Sequence, residues 1–268
     1  MKIFVFANEK GGVGKTTATY NLAAAMVNEG KRVLCIDLDP QGNLSTYMNC
    51  EPQDGDNTIM ELISEAIHRK GGCTGEHIRA AVKQNQEGVF CIPADISLSQ
   101  ADMALAVAFS REKILKRILD HPFFDRSFDT CLIDCPPNLG IVVINALMAA
   151  DGVIIPVQTK NFALKGLVML EEAIEQVQQD NPKLKIQAVF INMTRHNRNS
   201  NYIEELLKAR YGDLVLKTTI PDLVEADTST IQKRSLVNVD RSRLGPLYKD
   251  AASELMSRME GDETWQKD

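Results

Sequence analysis

The chain opens on an apolar run, Ile3–Ala7, that breaks into NEKGGVGKTT and then into a stretch of helical composition, residues 16–29, closed by Gly30. A strand, a glycine-rich turn and a helix in that order restrict the fold more than any other feature of the sequence. Gly11, Gly12 and Gly14 let the backbone take left-handed torsions and approach a ligand closely. The N–H groups of such a turn converge at a helix N-terminus, where the dipole favours negative charge, so the stretch suits phosphate. The spacing G-x-x-x-x-G-K-[ST] is met by Gly14, Lys15 and Thr16, but Glu9 stands where its first glycine belongs. That misfit comes with an additional lysine, Lys10.

Apolar runs and helical patterns continue to alternate. Strands are expected at Val33–Ile36, Val89–Ile92, Thr130–Ile133, Gly152–Val157 and Ile186–Asn192, with a short one near Leu214–Lys217. They are rich in Val, Ile and Phe and lack polar alternation, the mark of strands buried on both faces of a parallel sheet. Leu164, Leu167, Leu170, Ile174 and Val177 recur at helical spacing over residues 163–178, and a last helix is expected over 244–259. The reading is a single α/β domain over residues 1–260, a mostly parallel twisted sheet with helices on both faces. Within it, residues 50–88 read as an insertion, with Gly71, Gly72 and Gly75 between two short helical patterns; residues 261–268 read as a polar tail that frays.

No run is long and apolar enough for a membrane span or a secretory leader, so the expectation is a soluble, cytoplasmic protein. The net charge of −6 argues against a wholly basic nucleic-acid protein and leaves room for a local basic patch. The six cysteines, at 35, 50, 73, 91, 131 and 135, sit mostly in apolar runs and read as buried thiols of a reducing compartment. They form no C-x-x-C pair, and the spacing of Cys131 and Cys135 is poor for a metal, which argues against an iron–sulfur role.

A phosphate loop needs an acidic partner for Mg²⁺. DTCLIDCPP, residues 129–137, supplies an apolar strand ending in Asp134, placed at the strand edge where open α/β sheets bind ligands. CIDLDPQGN, residues 35–43, ends the next strand with Asp37 and Asp39, which suit magnesium binding and the positioning of water. Lys15 is expected at the β- and γ-phosphates, Thr16 on Mg²⁺ and Thr17 at the α-phosphate.

KGGVGKTT together with DLDPQGN and LIDCPP resembles the ParA/MinD superfamily of deviant Walker-motif ATPases, most closely its ParA-type partition proteins, over residues 1 to about 255. The resemblance implies a P-loop ATPase with ATP and Mg²⁺ as cofactors, its phosphates held by Lys10, Gly11, Gly12, Val13, Gly14, Lys15, Thr16 and Thr17. It gives Lys10 the role of a signature lysine that crosses a homodimer interface to the partner's bound phosphate, so that ATP binding and dimerisation are one linked equilibrium. It implies that Asp39 orients the attacking water, that Asp134 holds Mg²⁺ through water, with Asp37 near the metal, and that Asn192 and Pro221 contact adenine. Where many members carry Glu, this chain has Lys165, to which no role is given.

The resemblance further implies slow hydrolysis stimulated by a ParB-like or other adaptor, and non-specific DNA binding in the ATP state on the nucleoid. Residues 231–249 carry Lys233, Arg234, Arg241, Arg243 and Lys249 against one acid, Asp240, a local balance of +4 that offers a DNA-binding face or simply a solvated one. Arg195, His196 and Arg198 form a second cluster. Acidic Asp222, Glu225 and Asp227 follow Pro221, where chromosomal members often carry arginines. That departure favours the alternative, a positioning or regulatory ATPase with a protein cargo and little DNA contact. The acidic end SELMSRMEGDETWQKD argues against the membrane-binding helix of the MinD branch. A third reading, a metabolic ligase, predicts rapid turnover unaided; amide-forming relatives are expected to bring a second catalytic domain, for which the chain has no room.

Overall fold

In the sheet, residues destined for opposite faces alternate along each strand. Phe4 and Phe6 join one core with Cys35, Leu132, Ile154 and Phe190, while Val5 joins another with Leu34, Ile36, Ile133, Val153 and Val189. Both sets are fully or almost fully buried. A strand apolar on both faces must be covered on both, which is why helices lie above and below. The computed structural model describes residues 1–160, 163–195 and 197–261, with the side chains of 163–165, 260 and 261 excepted. The polar tail from residue 262, His196 and the Lys165 side chain lie outside the described residues.

Seven strands form the sheet: β1 (Lys2–Phe6), β2 (Val33–Asp37), β3 (Lys83–Gln84), β4 (Phe90–Ile92), β5 (Thr130–Asp134), β6 (Gly152–Gln158) and β7 (Lys185–Asn192). Their order is β3-β4-β2-β5-β1-β6-β7, and every neighbouring pair is parallel except β3 with β4. The helices Lys15–Asn28, Asn43–Tyr47 and Gly245–Gly261 cover one face. The helices Ile59–His68, Ile114–Leu119, Ile141–Ala149, Ala163–Gln178 and Arg198–Tyr211 cover the other. The fold is the α/β class expected.

Two strands differ from expectation. Leu214–Lys217 is not a strand: a 3₁₀ turn over Gly212–Leu214 takes its start, and the N–H of Lys217 turns to the Glu254 carboxylate. What remains is a single parallel bridge between Val189 and Val215. β3 is the strand the sequence hid, because two polar residues carry no periodicity. Residues 50–88, read as an insertion, hold the helices Ile59–His68 and Gly75–Ala81 with left-handed Gly71 and Gly72 between them; Gly75, expected between the helices, begins the second, and the stretch also supplies β3 to the sheet.

Candidate phosphate and cation site

Strand register assembles the site. Phe6 of β1 is opposite Asp134 of β5, and Asp134 is opposite Asp37 of β2. The loop after Phe6 and the two carboxylates therefore leave the sheet side by side at its C-terminal edge. The loop runs into helix Lys15–Asn28 through Gly14, which is left-handed (φ 82°) and offers no side chain to the first turn. The helix's leading N–H groups are thus free to receive an anion.

Three amides strap the loop down. Asn8 Nδ2 donates to the Pro156 carbonyl at 2.7 Å, Gln158 Nε2 to that of Gly12 at 2.6 Å, and Asn192 Nδ2 to that of Val13 at 3.1 Å. A Cβ on Gly14 would stand 2.3 Å from Asn192 Nδ2, so only glycine fits there. The resemblance implies an adenine contact for Asn192; here its amide nitrogen holds Val13, and its oxygen accepts from the Met193 N–H at 3.0 Å. It also lines, with Pro221 and Thr17, a cavity of about 600 Å³ beside the loop, large enough for a base. Asn8 and Gln158 were missed by sequence reasoning, although a polar amide closing an apolar strand was visible at both.

The two lysines behave differently. Lys15 is buried, and Nζ donates to the carbonyls of Asn8 at 3.0 Å and Lys10 at 3.5 Å. Burial lowers its pKa, against the pull of Asp134. Lys10 is half-buried, its N–H bound to Asn8 Oδ1, and its ammonium has no hydrogen-bond or ion-pair partner among the described residues.

Thr16 Oγ1 donates to Asp134 Oδ2 at 2.6 Å. The other oxygen, Oδ1, is buried without a partner. Burial, together with Asp37, pushes the Asp134 pKa up to about 8. A buried carboxylate oxygen without a donor, beside a hydroxyl and a phosphate cradle, fits a hard divalent cation. Among the described residues no group of three or more His, Cys, Asp or Glu could hold a metal ion, so such a cation would take its other ligands from phosphate and water. Asp37 is fully buried and already engaged: Oδ2 accepts from Ser45 N (2.9 Å) and Oγ (2.7 Å), and Oδ1 from Asp39 N. Burial raises it to about 6. Asp39 is half-exposed, its Oδ1 accepting from the Gln41 N–H.

The basic residues separate into two groups. Lys233, Arg234, Arg241 and Lys249 line one concavity of about 1020 Å³, while Arg243 lines the cavity beside Thr17. Lys233 is ion-paired with Glu51 and Arg195 with Asp222. Glu225 accepts the N–H groups of Arg243 and Leu244.

An AAA-domain family profile matches residues 1–186. The chain is 37% identical over 258 residues to the sporulation initiation inhibitor protein Soj of Bacillus subtilis, covering 95% of this chain and 98% of that one. It is 36% identical over 262 residues to the chromosome partitioning protein ParA of Caulobacter vibrioides, covering 96% and 95%. The chain belongs to the Soj/ParA family. A solved structure of a cobyrinic acid a,c-diamide synthase from Mycobacterium smegmatis, with ADP and magnesium bound, superposes with a TM-score of 0.79 at 30% identity, over 97% of this chain and 96% of that one. This chain thus covers almost the whole of that solved chain. Matched length alone therefore does not separate a partition ATPase from an amide-forming enzyme.

Proposed function

We propose that this chain is an ATP-driven partition switch that pairs on Mg-ATP, binds DNA without sequence preference and is reset by slow, adaptor-stimulated hydrolysis. The observation that carries the reading is Lys10: a cation at the mouth of a phosphate cradle whose ammonium has no hydrogen-bond or ion-pair partner among the described residues. A lysine supplied by the twin makes ATP binding and pairing one equilibrium. Lys15 swings from the loop carbonyls to the β- and γ-phosphate oxygens, and the backbone of Gly11–Thr17 receives the rest. Thr16 and Asp134 would hold Mg²⁺, whose bound charge would offset that of the phosphates, with Asp37 setting the position of the Asp39 loop. Asp39 orients the attacking water. Asn192 and Pro221 border the base. Arg234, Arg241, Arg243 and Lys249 contact DNA phosphates in the cytoplasm, on the nucleoid while ATP is bound, and a ParB-like or other adaptor completes the site for hydrolysis.

Light scattering in saturating non-hydrolysable ATP analogue is the first test. The unaltered protein is expected at twice its protomer mass, Lys10→Ala at one, and Asp39→Ala with ATP held as the pair. Lys10→Ala pairing and hydrolysing like the unaltered protein would overturn the reading. The ion pairs Lys233–Glu51 and Arg195–Asp222 favour keeping the second reading, a protein cargo, in the same experiment. Retention on random duplex DNA with ATP and release with ADP selects DNA; a turnover that is fast without either partner selects a metabolic enzyme.

A further inference from the structure

A buried hydrogen-bond junction joins the nucleotide loop to the basic segment. Asp37 grips Ser45, in the short helix Asn43–Tyr47. Two residues on, Tyr47 is fully buried, its ring edge-on to Tyr20 at 4.8 Å. Its hydroxyl meets Ser229 Oγ at 2.6 Å and accepts from Asn21 Nδ2 at 3.3 Å. Asn21, on the phosphate-loop helix, also donates to the Thr17 carbonyl at 2.8 Å and accepts from the Leu236 N–H at 2.7 Å. Ser229 donates to the Ala226 carbonyl, which makes Tyr47 the donor in its bond to Ser229. Every proton of the junction is thus assigned, and none is spare.

Tyr47 and Asn21 together hold both ends of the stretch from Ser229 to Leu236, the stretch that carries Lys233 and Arg234. One tie comes from the segment following Asp39, the other from the helix that begins the phosphate site. Interior hydrogen bonds are not surrendered without replacement, so a shift of either element carries the stretch with it. We propose that the Asn21–Tyr47–Ser229 junction transmits the nucleotide state to the basic segment, with Tyr47 as its positioning residue. The inference rests on the switch reading for the meaning of that movement, though the junction itself stands on these bonds.

Amide hydrogen exchange tests it directly, since it requires no DNA. Between ATP analogue and ADP, residues 231–243 of the unaltered protein are expected to differ in exchange rate by about five-fold or more, the lower end of ordinary allosteric coupling. Tyr47→Phe keeps the ring and removes the hydroxyl; it should erase that difference while protection of residues 10–20 by analogue persists. Ser229→Ala should do the same, and the double variant should do no more than either. Thermal melting establishes that each variant is folded. A preserved difference in Tyr47→Phe overturns the junction, as does additivity of the two variants or the absence of any difference in the unaltered protein. Failure to bind DNA, with the exchange difference intact, overturns the DNA reading and leaves the junction standing.

Discussion

Asp134 is the residue whose chemistry is least settled by the chain alone. Its folded-state pKa of about 8, and that of Asp37 of about 6, lie above the ordinary 3.8, because both carboxylates are buried. The metal-free fold therefore binds more protons than the unfolded chain between those values, and its stability falls as the pH rises from about 4 to about 8. A cation on Asp134 Oδ1 reverses the preference by favouring the ionised form. Binding of Mg-nucleotide at pH 7 is expected to release close to one proton, read by titration calorimetry in two buffers of different ionisation enthalpy. It should also flatten the fall in melting temperature over that pH range. Proton release that persists in Asp134→Asn would assign the effect elsewhere. At this scale the sequence was informative where a motif fixes a residue by spacing: Lys15, Thr16 and Asp134 are brought together at the strand edge. It was silent on Ser45, whose partnership with Asp37 depends on a left-handed Gly42 that turns the chain back beneath the strand.

Among the elements, the loop after β1 depends on strands that are distant in sequence. Asn8, Gln158 and Asn192 each satisfy a carbonyl that the phosphate loop or its neighbouring strand would otherwise leave without a donor. Removing a partner from a buried polar group costs about 1–3 kcal/mol. Asn192→Ala, which strands the Val13 carbonyl, is expected to lower stability by about that amount, or several degrees in melting temperature for a domain of this size. Nucleotide affinity should fall further, since the loop loses its hold before it meets the ligand; unchanged melting would show that the strap contributes nothing. The strands that align these amides were legible as unbroken Val, Ile and Phe runs, because burial on both faces leaves no other composition. The bridge at Val189 and Val215 was overread as a strand for the same reason, and β3 was unreadable because pairing, not side-chain pattern, makes it a strand.

For the whole molecule, a net charge of −6 coexists with a concavity bordered by Arg234, Arg241 and Lys249. Each phosphate contact on duplex DNA contributes about 0.9 to the slope of log affinity against log salt. Arg234→Ala and Arg241→Ala are each expected to reduce that slope by about one and to weaken binding uniformly across sequences. Lys233→Ala should change it less, its charge being matched by Glu51. Filter binding or anisotropy over a salt series distinguishes these outcomes, and slopes in all three variants unchanged from that of the unaltered protein would remove the concavity from the interface. The order of the basic residues was visible in the sequence, but their division between two cavities was not, since it follows from the left-handed turns at Lys233 and Arg241.

The two rims of the sheet are closed in different ways. β3 ends one side after Lys83 and Gln84, and on the other the backbone of residues 215–222 lies along β7, with the N–H groups of Leu216 and Ile220 donating to Val189 and Ile191. Among the described residues, one margin is a strand of only two residues and the other is partly covered, so neither presents a long run of open backbone on which a neighbour could lengthen the ladder. Edge-to-edge growth of copies of this chain into a continuous ribbon is disfavoured by both rims.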